Sequence, residues 1–162
     1  MTTEKTVQRL VAALDYPMVV VTAVAGDTRG GCLVGFTTQC SIHPPRFLVC
    51  ISRRNATHDV ALRSRVLAVH FLDRGDLELA ELFGEETADD TDKFTRCEWD
   101  EGPDGVPLLR HSAGYVVARV LRHDQVGDHT ALLVEAIAAE QRRPFRQLGF
   151  QQVRDMEPGH KA

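Results

Sequence analysis

No apolar run in this chain reaches membrane-spanning length. Its most apolar stretches, Met18 to Ala25 and Ala131 to Ala139, fall far short of the roughly 20 residues a spanning helix needs. No charged-then-apolar leader opens it, so the cytoplasm is the expected location. Positive charge is not in excess either. Nineteen Lys and Arg face 23 Asp and Glu, a net charge of −4, so neither nucleic acid nor an anionic membrane is an expected partner. The four cysteines, Cys32, Cys40, Cys50 and Cys97, contain no CxxC pair, which argues against a zinc site. Three of them fall in apolar, strand-like runs that suit buried, reduced thiols. Gly-rich loops of the dinucleotide or P-loop type, a GxSxG elbow and HExxH are all missing. His43, His70, His111, His123 and His160 show no metal-ligand spacing, and no metal is expected. A chain so poor in catalytic groups works most economically through a bound cofactor.

What is present is enough for one ordinary domain: 162 residues, 43% hydrophobic and 26% charged. Val7, Leu10, Val11 and Leu14 make the apolar face of a first helix, Thr6 to Leu14, which Tyr16-Pro17 stops. Strands are expected at Met18–Thr22, Cys32–Thr38, Phe47–Ser52, Val66–Leu72, Tyr115–Leu121 and His129–Ala138. A hairpin turn falls at Gly26 to Gly31 and a polar turn at Arg122 to Asp128. The unbroken apolar run FLVCIS suggests burial on both faces. Asn55 or Thr57 caps a helix through Val60, Ala61 and Leu62, and a second short helix, Leu77 to Phe83, closes at Gly84. Asp73 to Asp104, with 13 acidic residues against three basic, reads as a solvated excursion with a short helix around Asp92-Lys93-Phe94. Six strands with short helices and no strand–helix alternation predict a mainly β fold, a six-stranded antiparallel barrel spanning 1–140. Residues 141–162 are polar and basic and read as a loosely attached C-terminal arm or a partner-docking tail.

Three constellations can carry chemistry. Ser52, Arg53, Arg54, Asn55 and Thr57 open a helix, where unpaired N–H groups, two guanidinium groups and hydroxyls suit a phosphate; the alternative is a simple cap with a solvated rim. Val34, Gly35, Phe36, Thr37, Thr38 and Gln39 place a glycine inside a strand, which either marks close approach of a ligand or a bulge. Asp128-His129 at the entry to the last strand is either a base or ligand donor, or an ordinary turn.

Taken in order, GCLVGFTTQCS, Pro44-Pro45, FLVCIS, RRNATH, VLAVHFL, DKF, Trp99, GVPLL and GDH resemble the flavin reductase-like family of FMN-binding split barrels, from Tyr16 to Ala138. That resemblance implies a homodimer with flavin near the interface and hydride transfer from NADH or NADPH to FMN or FAD. It also implies, in many relatives, supply of reduced flavin to a monooxygenase. By position, Val34 to Gln39 would run along the flavin ring and ribityl chain, and Ser52 to Thr57 would hold its phosphate. Asp128-His129 would stand beside the flavin, with His129 placing the nicotinamide. Alternatives are a flavin-binding module without turnover and a split-barrel enzyme using a deazaflavin. Gly35-Phe36 and Thr37-Thr38 replace the small residues of many relatives. Their aromatic closing segment has no clear counterpart in Pro144 to Met156.

Overall fold

A computed structural model describes residues 1–85 and 92–156. The chain runs through α1 (Thr3–Ala12), β1 (Val19–Ala25), β2 (Thr28–Val34), β3 (Thr37–Ser41), β4 (Arg46–Ser52) and α2 (Ala56–Arg63). It continues through β5 (Val66–Phe71), α3 (Leu77–Glu85), β6 (Trp99–Glu101), β7 (Pro107–Leu109), β8 (Gly114–Gln125), β9 (His129–Gln141) and α4 (Phe150–Val153). Among the described residues no helix is long and apolar enough to cross a membrane.

Valine-rich β1 lies between β2 and β5 in an antiparallel sheet ordered β2-β1-β5-β8-β9-β4-β3. The expected closed six-stranded barrel is therefore corrected to a seven-stranded sheet whose ladder stays open between β2 and β3. The cause is local. The run expected as one strand, Cys32–Thr38, breaks at Gly35-Phe36, where the chain leaves β1 and joins β4. Because β2 and β3 are consecutive in sequence yet stand at opposite ends of the sheet, the sheet must curl until those ends meet. The Cys50 N–H donates to the Phe36 carbonyl at 2.9 Å across this seam. One apolar core fills the curl, with Val21 and Cys32 from one end, Val49 and Ile51 from the other, and Val60 and Ala61 of α2. The outer face of β1 and β2 packs against α3 and the C-terminal segment through Val20, Phe83, Leu109 and Leu148.

Several finer expectations change. Only Cys32 is fully buried, and Cys40 is exposed because β3 is a sheet edge. FLVCIS is buried at Val49 and Ile51 but only half-buried at Leu48 and Cys50. Gly84 lies inside α3 rather than ending it, and the β8–β9 turn shrinks to Val126–Asp128. Asp92 caps a 3₁₀ turn at Lys93–Thr95. The β6–β7 hairpin has no period-two signal in its three-residue strands. His160 and the acidic residues 86–91 lie outside the described residues.

The segment after Gln141 is not a loose arm as far as residue 156. Leu148 is wholly buried, which contributes about 1.5–3 kcal/mol. Its N–H donates to Leu72 O and its carbonyl accepts from Met18 N, both at 2.9 Å. Phe150 N–H donates to Tyr16 O, and the Gln151 side-chain amide donates to Ala12 O and Leu14 O. Composition hid this because the anchoring is mostly backbone hydrogen bonding around one leucine.

The wholly buried His70 joins β5 to two other elements. Its Nδ1–H donates to Val20 O and its Nε2 accepts from Leu109 N–H, each at 3.0 Å, so the ring is satisfied as the neutral tautomer. Burial pushes the imidazole down to about 4. An unfolded histidine has a value near 6.5, so the unfolded chain takes up this proton first. The stabilisation is complete above about pH 6.5, erodes as pH falls and is gone near pH 4, a change of about 3 kcal/mol. Urea unfolding at pH 7 and pH 4.5 should show a smaller loss in His70→Gln than in the wild type. An equal loss would clear His70 of the effect.

Candidate functional site

Where the ends of the sheet meet, the chain leaves an open cavity of about 180 Å³. Leu33 to Phe36 form one wall, Cys50 to Ser52 another, and Tyr16, Met18, Asn55, His129 and Phe150 complete it. Glycine at position 35 is a steric requirement. A Cβ there would stand 2.6 Å from Tyr16 Cε2 and 2.9 Å from Met18 Sδ. Tyr16 is held against this glycine by a stack on Phe150, with centroids 4.7 Å apart and planes at 13°. Phe36, 49% exposed, lies 6.4 Å from Tyr16 and 4.9 Å from the His129 ring. A row of rings therefore runs from the C-terminal segment to His129.

The start of α2 forms the polar side. Asn55 Oδ1 accepts from Thr57 N at 2.9 Å, capping the helix, and Ser52 Oγ accepts from Arg54 N at 3.3 Å. Arg53 and Arg54 are exposed, and neither guanidinium pairs with a carboxylate among the described residues. The Thr57 side chain is buried, and its hydroxyl bonds the Cys32 thiol, which burial pushes up to about 11. Thr57 can therefore reach a ligand only through its backbone.

Strand pairing sets His129 opposite Ser52, and Arg53 N–H donates to Asp128 O at 2.9 Å. His129 Nδ1 bonds Asp128 Oδ1 at 2.7 Å, so a carboxylate acceptor fixes the proton on Nδ1 and leaves Nε2 available. That bond holds the Asp128 carboxyl below its ordinary range. A larger cleft of about 630 Å³ lies beside α3. Two of its carboxylates are already engaged, Asp76 by Arg143 and Glu98 by Arg110. The smaller cavity is the stronger site because a closely approached glycine, a helix start next to two exposed arginines and a histidine converge there.

The flavin reductase like domain family matches residues 11–157. The chain belongs to that family. It is 28% identical over 129 residues to a ferric-chelate reductase (NAD(P)H) of Archaeoglobus fulgidus, covering 78% of this chain and 76% of the relative. It is 33% identical over 122 residues to an FMN reductase (NADH) RutF 2 of Rhizobium rhizogenes, covering 73% and 69%. The solved NADH:FAD oxidoreductase SgcE6 of Streptomyces globisporus superposes with a TM-score of 0.77 at 26% identity, covering 86% of this chain and 83% of that one.

Of the residues singled out in this flavin reductase-like chain, Val34, Gly35, Phe36, Ser52, Asn55 and His129 line the cavity. Arg53, Arg54 and Asp128 do not line it but adjoin the lining residues Ser52, Asn55 and His129 in the chain. Thr37, Thr38 and Gln39 continue along β3, but their side chains bond Leu48 O, Gln39 O and Ser41 O. Lining residues not foreseen are Tyr16, Met18, Cys32, Leu33, Cys50, Ile51 and Phe150. Tyr16 reads only as a helix stop before Pro17. Phe150 lies in the segment without a recognisable closing motif, yet it supplies the aromatic wall.

Proposed function

We propose that this chain is an NAD(P)H-dependent flavin reductase working in the cytoplasm. The observation that carries the reading is the meeting, at one seam, of two exposed arginines that form no salt bridge among the described residues and a histidine whose Nδ1 is committed to Asp128. The donor set fits a flat ring joined to a phosphate: an apolar cavity walled by a required glycine, with cations at one end. Arg53 and Arg54 neutralise the ligand's phosphate, and Ser52 and Asn55 line its approach. Val34, Gly35 and Phe36 wall the ring, while Thr37, Thr38 and Gln39 extend that wall. FMN or FAD held there would supply the acceptor for the hydride of NADH or NADPH. His129, oriented by Asp128, holds the nicotinamide through Nε2 and excludes water from that side.

An open cavity of 180 Å³ is smaller than the roughly 300–1,000 Å³ of a complete small-molecule pocket. A second copy completing it is supported by α1, which buries none of its residues and exposes Val7, Leu10 and Val11, with exposed Leu14 just beyond its end. The protein is accordingly read as a homodimer. Leu10→Asp should lower its mass in light scattering from two chains toward one; an unchanged mass would exclude α1 from the contact. An open site also suits a flavin that departs once reduced and so supplies a separate monooxygenase.

Absorbance of the purified protein, then NADH and NADPH oxidation with FMN or FAD added, tests the activity. Flavin-dependent oxidation of either nucleotide is expected. Bound flavin without turnover would leave a binding module instead.

A further inference from the structure

His58 follows Thr57 on α2 and is absent from the cavity wall, yet it makes a buried polar contact. Its Nε2 lies 2.8 Å from Thr130 Oγ1; His58 is 7% exposed and Thr130 1%. Nδ1 lies 3.4 Å from Oδ1 of the exposed Asp59. The arrangement satisfying each group has Nδ1–H directed at Asp59 and the Thr130 hydroxyl donating to Nε2. Carboxylate, imidazole and hydroxyl thus stand in nucleophile order. Thr130 has no access to solvent, however, so the hydroxyl cannot attack a substrate.

What the contact does is connect. Thr130 directly follows His129, and His58 lies within the first turn of the helix whose start carries Ser52 to Thr57. Backbone bonds already tie the turn itself, through Ser52 opposite His129 and Arg53 N–H to Asp128 O. The side-chain bond acts one residue further on, at Thr130, immediately after the residue that carries the His129 ring. A buried polar pair inside an otherwise apolar core is costly if either partner is lost, which makes the geometry stiff.

We propose that His58 is a positioning residue that, through its buried bond to the Thr130 hydroxyl, fixes His129 relative to the phosphate-facing helix. This rests on the flavin reductase reading, since it gives His129 a task. Misplacing a reacting or orienting group by about 1 Å can cost as much as 100-fold in rate, and loss of one link should cost about tenfold.

Thr130→Val removes the hydroxyl at constant shape, and His58→Asn keeps only the Nδ1-side reach. Each should lower kcat for NADH oxidation about tenfold while leaving the flavin dissociation constant within about twofold. The double variant should be no slower than either single, because both break one bond. His58→Gln, whose amide reaches the Nε2 position, and Thr130→Ser should restore most of the rate. In flavin-free protein, Thr130→Val should shift the NMR ring signals of His129 and leave those of exposed His43 unmoved. A kcat for Thr130→Val within twofold of wild type, multiplicative losses in the double variant, or unshifted His129 signals would each overturn the proposal. If the wild type oxidises no NADH with any flavin, the reductase reading fails on its own, and the NMR comparison still decides the link.

Discussion

His129→Ala lowers the rate of flavin reduction at saturating NADH by about 100-fold, while flavin affinity changes little. The expectation follows from where the ring sits. Nδ1 is committed to Asp128 at 2.7 Å, one ring face rests near Phe36, and the side chain lines the cavity. Truncation removes the donor and opens the cavity to water, yet leaves Arg53, Arg54 and the Gly35 wall in place. Asp128 keeps its acceptor role well into acid because its carboxyl is held low by the His129 bond. Stopped-flow reduction in a single turnover separates chemistry from product release. An unchanged rate there would remove His129 from the reaction.

Replacing Arg53 and Arg54 together by alanine weakens FMN by about 10- to 100-fold and riboflavin hardly at all. Hydrogen bonds to charged groups contribute about 1.5–3 kcal/mol each, and exposure of both side chains halves the pair's sum to roughly 1.5–3 kcal/mol. Riboflavin carries the same ring and ribityl chain without the phosphate, so it isolates the charge. The FMN loss should also shrink at high salt, where exposed charges are screened. Equal losses for both ligands would mean that the arginines read something other than phosphate.

The parts of this molecule legible in its sequence are those fixed by local chemistry. Asn55 announces a cap, the valines of β1 announce a strand, and Asp128-His129 announces a turn whose side chains touch. Gly35 could be recognised as a place of close approach, although the group approaching from within the chain is Tyr16. What was not legible depends on partners far apart in sequence. Phe150 finds Tyr16 across more than 130 residues, and His58 finds Thr130 across 72. Nothing in RRNATH or GDHT taken alone signals that pairing. The open ladder between β2 and β3 was hidden for another reason. A run of residues that reads as one strand can change neighbours at Gly35-Phe36 without any change in its apolar pattern.

The docking of Leu148 and Phe150 also has a consequence in time. A ribosome releases the chain from its N-terminus, so β1 emerges early with Tyr16 O and Met18 N unpartnered. The seam, the arginines and His129 are all outside the exit tunnel before the last wall of the cavity is. A ligand therefore meets a complete pocket only once Leu148 and Phe150 have docked against Met18 and Tyr16.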